Sequence, residues 1–216
     1  MIQIIKSEIK IAGINFLLIL SALAAALIVF SAAAGELIDF YPVSFEVIFP
    51  FFAAVAAGEW GKTGADRNYD LIVSQGRSLF RWAAVRYMVV FGISAVFALA
   101  CMAASWAIRG GTVLWRPSVL YFPVAFFLSS LCMLVGLKCT QEHIAALTGG
   151  LIWLAALLMR GLLRIPGVEY VYPFICFAGD QNQIWLWNKC IFMGMGVLIW
   201  GVIRRVCSGR NSLLFR

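Results

Sequence analysis

The sequence predicts an all-α, polytopic membrane protein with six transmembrane helices and an amphipathic cytoplasmic coupling helix between the second and third. Three observations lead there. Of 216 residues, 63% are hydrophobic and 12% are charged, whereas soluble globular chains run at about 45–50% apolar and about 25% charged. Mean hydropathy is +0.93, more than a water-soluble domain of this size has core to hold. The apolar residues also fall into runs of about 20, the number needed to cross roughly 30 Å of hydrocarbon at 1.5 Å per residue.

The first run covers 11–34. It exceeds the apolar core of a cleaved secretory signal, so it is read as an uncleaved first helix. The second, 42–58, is short and carries Glu46 and Pro50. The third and fourth are 83–108 and 118–137, the fifth, 144–163, contains Arg160, and the sixth, 184–203, has Asn188 and Lys189 near its start. Polar groups at such depths are costly unless they face the protein interior, a water-filled space or the headgroups. With Tyr41 and Pro42 adjacent, Glu46 is expected to reach the outer water; a place on a substrate path is the functional alternative. Six spans leave a single transmembrane domain, 1–216, without room for a second folded unit. Any energy source must then sit on another chain.

Orientation follows from Lys and Arg. With the N-terminus inside, 12 basic residues fall on the cytoplasmic side (6, 10, 62, 67, 77, 81, 86, 138, 204, 205, 210 and 216) and 5 outside (109, 116, 160, 164 and 189). The bias puts both termini in the cytoplasm of a cell whose plasma membrane is expected to be bacterial. It also accounts for the net charge of +7 without nucleic acid, for which no basic run with interleaved aromatics exists. The long outer segment RIPGVEYVYPFICFAGDQNQ (164–183), broken by Pro166 and Pro173, is expected to dip into the interface as short helices, with Trp185 and Trp187 in the aromatic belt.

Enzyme chemistry finds little to work with. The single histidine, His143, stands beside Glu142 without an HExxH or ExxH pattern, so it reads as a helix-start feature with Thr140 as a possible cap, not a metal ligand. The cysteines at 101, 132, 139, 176, 190 and 207 form no CxxC pair and read as small buried hydrophobes. No cofactor is expected in this chain. The alanine runs at 22–26 and 53–57, and Met193 and Met195 with Gly194 and Gly196, read as packing.

The most polar stretch is 58–86, GEWGKTGADRNYDLIVSQGRSLFRWAAVR. At helical spacing Tyr69, Ile72, Val73, Gly76, Phe80 and Ala83 share one side, and Arg67, Asp70, Ser74, Arg77, Ser78 and Arg81 the other. Such a helix lies along the inner membrane surface, as an anchor or as a docking element. Gly61-Lys62-Thr63 copies the end of a phosphate-binding loop, but the first glycine of that motif would fall at Ala56, inside a membrane helix.

Glu59 closing the second helix, Thr63-Gly64, Leu71-Ile72, Gly76-Arg77-Ser78 and Arg86 together resemble the permeases of type-2 ABC transporters. Trp187-Asn188-Lys189 opening the last helix, with Arg204 and Arg205 beyond it, is similar to how many members end. This chain departs at Leu79, where many members have a second basic residue, and in its reversed Thr63-Gly64 pair. The resemblance implies a coupling segment at about 59–82 that seats on a separate ATPase through Glu59, Arg67, Asp70, Arg77 and Arg81. It further implies ATP and Mg on that cytosolic ABC ATPase, and a second permease subunit, identical or related, in the surrounding lipid. The implied activity is export of a hydrophobic or amphipathic substrate such as a peptide, lipid or drug. Two other classes remain open: a motor-independent immunity, sensor or scaffold subunit, and an ion-coupled secondary transporter.

Overall fold

A helix satisfies its own backbone hydrogen bonds, which is why apolar runs of this length fold as helices wherever water is scarce. In the computed structural model the first is α1 (Ile2–Ala33), followed by a π-helical turn, Pro42–Ile48, that runs straight into α2 (Phe49–Trp60). Then come α3 (Leu79–Arg109), α4 (Trp115–Lys138) and α5 (Ile144–Leu158). Two 3₁₀ turns, Met159–Arg164 and Val168–Tyr170, lead towards α6 (Ile184–Leu214). The structure describes the backbone of residues 2–33, 40–60, 79–109, 115–139, 143–179 and 184–214, with the side chains of 18–33, 40–59, 79–108, 115–139, 143–179 and 184–208.

Among the described residues every regular element is helical. Five stretches are long and apolar enough to cross a membrane: Pro42–Glu59, Leu79–Ile108, Trp115–Lys138, Ile144–Arg164 and Ser208-terminated Ile184–Ser208. In α1 the described apolar part, Leu18–Ala33, is shorter. The amphipathic helix expected over 66–82 falls largely on 61–78, outside the described residues; its last part is the first turn of α3, which begins at Leu79.

Apolar surface gains little by leaving lipid for protein, so contacts between membrane helices depend on close packing of small residues. α2 is the hub, lying on both α4 and α5, while α4 also packs on α6 and α1 on α3. Ala53, Ala54, Ala56 and Ala57 of α2 are buried, in line with the packing role expected of that run. Gly58 sets the α2–α5 distance and Gly149 the α4–α5 distance. A methyl added at Gly58 would lie 2.6 Å from the Ala146 backbone nitrogen, and one at Gly149 would lie 2.5 Å from Cys132 Sγ. Gly196 does the same for α6, whose added methyl would sit 2.4 Å from the Phe126 ring of α4.

A polar thread crosses the core between α3, α4 and α6. Tyr87 and Ser129 share a hydrogen bond of 2.8 Å, and Trp200 Nε1 donates to Ser130 Oγ at 3.0 Å. By contrast α5 buries only Ala145 and Gly149 and exposes Leu147, Leu151, Leu154 and Leu158, a face suited to lipid tails.

The helices meet at two opposite ends. At one, α2 finishes beside the start of α5. At the other, the π turn, the starts of α4 and α6 and the finish of α5 gather under the 165–179 segment. There Trp115 stacks on Trp185 with ring centroids 6.0 Å apart.

Candidate functional site

Glu46 sits in the π turn with no exposed surface. The extra residue per turn of a π-helix widens the local backbone, a feature often found at functional positions. The Val47 carbonyl beside it accepts a hydrogen bond from Trp153 Nε1 of α5 at 2.9 Å. The expectation that Glu46 reaches outer water is corrected here: its carboxylate is sealed beneath the 165–179 segment.

What makes that burial tolerable is a full set of donors. Lys189 Nζ of α6 lies 2.5 Å from Glu46 Oε1. The Phe177 amide donates to Oε2 at 2.7 Å, and the Cys176 amide to Oε1 at 3.3 Å. Lys189 also donates to the Pro173 carbonyl at 3.0 Å. Two charges taken from water lose several kcal/mol of hydration each, and their attraction offsets this only when further hydrogen bonds complete the geometry. The turn at 174–179 supplies them. Ala178 N–H closes on Phe174 O and Gly179 N–H on Cys176 O, which leaves two successive amides directed at the anion.

Neighbouring polar residues hold the same segment down. Asn188 Nδ2 donates to the carbonyls of Glu169 and Tyr172, both at 2.9 Å. Arg160 Nη2 donates to Ala178 O at 3.0 Å, its guanidinium 5.6 Å from the Phe177 ring centroid. Arg160, Asn188 and Lys189, the two charged residues and the amide that the sequence places inside the last two apolar runs, thus all bind the refolded segment, whereas Thr148 bonds within its own helix. The expectation of short helices there is met in part: the 3₁₀ turn Val168–Tyr170 is followed by consecutive turns through Gly179. Trp187 is 68% exposed, as a belt residue should be, whereas Trp185 is 8% exposed because it packs against Trp115.

Of the residues expected to dock an ATPase, Glu59 ends α2 and pairs with His143, Nδ1 to Oε1 2.7 Å. His143 opens α5 with a left-handed φ of 68° and no side-chain cap hydrogen bond. Arg81 is exposed on the first turn of α3. Arg67, Asp70 and Arg77 lie outside the described residues, as does Thr140. Arg86, from the same resemblance, is buried with its guanidinium 3.9 Å from the Trp82 ring centroid. Cys101, Cys132 and Cys207 are buried as expected, but Cys190 is exposed.

Among the described residues no group of three or more His, Cys, Asp or Glu could hold a metal ion. What the Glu46–Lys189 cluster can do is latch the refolded segment onto the bundle. Lys189 and Asn188 are the residues whose part in this site sequence reading missed. No family model, curated protein or solved structure matches the chain.

Proposed function

We propose that the chain is the membrane-spanning permease subunit of an ATP-driven ABC transporter. It works with a second permease subunit and a cytosolic ATPase that carries ATP and Mg, and exports a hydrophobic or amphipathic substrate. The observation that carries the reading is the layout around the polar stretch 61–78. α2 ends immediately before it at Glu59 and Trp60, α3 starts immediately after it at Leu79, and the Glu59–His143 pair ties that end of α2 to the start of α5. Leu79 and Ala57 share one buried cluster with Leu137 and Cys207. A displacement applied to 61–78 therefore acts on tightly packed helices, which pass strain on rather than absorb it. That stretch and its flanks carry Glu59, Gly76-Arg77-Ser78 and Arg86, which resemble the pattern of the type-2 permeases.

In this reading Arg67, Asp70, Arg77 and Arg81 fix the register on the ATPase, and apolar contacts supply much of the affinity. Glu46 reaches a substrate path only when the latch on the opposite end releases. The test is first whether a neighbouring reading frame encodes an ATPase with full nucleotide-binding motifs, and then co-purification with that ATPase, using wild type and Arg77→Glu with Arg81→Glu. Loss of ATPase association and of transport is the expected result. Unchanged association and transport would overturn the proposal and leave the motor-independent reading in place.

A further inference from the structure

The buried face of α6 is a narrow seam. Lys189, Phe192, Gly196, Ile203 and Cys207 are buried along it, and Trp200 is half-buried between Gly196 and Ile203. α4 lies against this seam. Its Phe127 ring meets Phe192 with centroids 5.1 Å apart, its Phe126 ring packs where Gly196 has no side chain, and its Ser130 accepts the Trp200 Nε1 bond at 3.0 Å.

Apolar contacts between membrane helices resist separation but do little against sliding, whereas a hydrogen bond or ion pair weakens steeply once distance and angle change. Towards the π turn and α4, the seam makes two such directional contacts: Lys189 to Glu46 and Trp200 to Ser130. They stand eleven residues apart on one continuous helix, about 16 Å along its axis. A slide that breaks one therefore displaces the other by the same amount. The latch tolerates little of this, because the attraction of a buried pair offsets its lost hydration only in good geometry. Trp200 has little freedom to follow either. Its ring lies 4.9 Å from that of Tyr87 and 6.0 Å from that of Phe80, both of α3, and Ser130 Oγ is 3.4 Å from the Tyr87 hydroxyl.

We infer that Trp200 is a positioning residue for the distant latch: its bond to Ser130 fixes the axial register of α6 against α4, and that register keeps Lys189 on Glu46 and the 165–179 segment closed. Gly196 lies between the two contacts and lets α6 approach Phe126 closely enough for both to form. The coupling is internal to the bundle and independent of any ATPase.

The test is the maleimide reactivity of Cys176, in the 165–179 segment, measured on the full chain in detergent with the labelled cysteines mapped by mass spectrometry. Trp200→Phe keeps an aromatic ring and loses the N–H; Ser130→Ala keeps Trp200 and loses the acceptor. Each is expected to speed Cys176 labelling by about fivefold, the change in a local opening equilibrium that the net worth of one hydrogen bond produces. Ser94→Ala is the control. It removes a buried bond of the same kind, to the Tyr121 hydroxyl at 3.2 Å, and Tyr121 belongs to a core cluster that holds no residue of α6. Its Cys176 rate is expected to stay within about twofold of wild type. Should Trp200→Phe not fold, Ser130→Ala carries the test by itself. A rate within about twofold of wild type in either folded variant, or an equal rise in Ser94→Ala, would overturn the coupling.

Discussion

Lys189 Nζ lies 2.5 Å from Glu46 Oε1, the two residues 143 positions apart in the chain, with side-chain exposures of 2% and 0%. The pair joins the π turn before α2 to α6, and through Pro173, Cys176 and Phe177 it clamps the segment between them. Breaking a buried pair from one side is costly because the other charge is left behind.

Glu46→Gln is accordingly expected to destabilise the folded chain by about 3–5 kcal/mol, since Lys189 would keep its charge without a counter-ion. Lys189→Met should cost less than Glu46→Gln, because the Cys176 and Phe177 amides still hold the carboxylate. The double variant should be more stable than Glu46→Gln alone. Thermal unfolding of the four proteins in one detergent gives the coupling, and additive losses would show that the pair does not act as a unit.

Asn188→Leu removes two hydrogen bonds to the 165–179 segment at a cost of about 1–3 kcal/mol. Its clearer signature is local. Cys176, half-buried in that segment, should react faster with a maleimide, while Cys132, deep between α2, α4 and α5, should not. Mass-spectrometric mapping of the labelled cysteines separates the two.

This latch shows where sequence reading stops. The helices were legible because the apolar runs are bounded by charge, Gly or Pro and five of them are long enough to cross a membrane, although the first helix starts at Ile2 and the last continues to Leu214, each well beyond its apolar run. Glu46, Arg160, Asn188 and Lys189 stood out as costly in lipid. That Glu46 pairs with Lys189, however, depends on how the π turn and α6 meet across α4. The Glu46 reading failed for a physical reason: nearness to the end of an apolar run places a carboxylate near water only if nothing folds back over it. Trp185 departs from the belt for the same cause, being covered by Trp115. Gly149 and Cys132 belong to different helices, and no periodicity in either reveals their contact.

At that contact, Gly149→Ala should destabilise the chain by about 1–3 kcal/mol through overpacking against Cys132 Sγ. Cys132→Ala in the same chain should restore most of the loss. Gly58→Ala differs, because its added methyl meets the backbone of Ala145 and Ala146, which no neighbouring side-chain substitution relieves. Melting temperatures of these variants test the distinction, and failure of Cys132→Ala to rescue Gly149→Ala would count against the close approach.

Tyr172→Phe removes a buried hydroxyl that has no partner, so in lipid-free detergent it should be neutral or stabilising by about 1 kcal/mol. Burial pushes the Tyr172 hydroxyl above its ordinary 10.0, Arg160 opposes this, and Glu46 adds to it. The folded chain then keeps a proton that the unfolded chain loses, and stability falls as pH rises beyond about 10. Tyr172→Phe should fall less steeply over that window. Parallel unfolding curves for the two proteins would refute the assignment.

The Glu59–His143 pair is the counterpart of the latch at the other end of the bundle, and it differs in kind. Its side chains are 28% and 61% exposed, so water and salt screen it and its net worth is under about 1 kcal/mol. Glu59→Gln should therefore leave the melting temperature almost unchanged, in contrast to Glu46→Gln. If the stretch after Glu59 receives the ATPase, the same substitution should lower transport and transport-coupled ATP hydrolysis while the fold stays intact. A variant that melts like wild type and transports like wild type would remove Glu59 from the docking surface. One that loses activity only in step with its stability would make it a structural residue at a helix end.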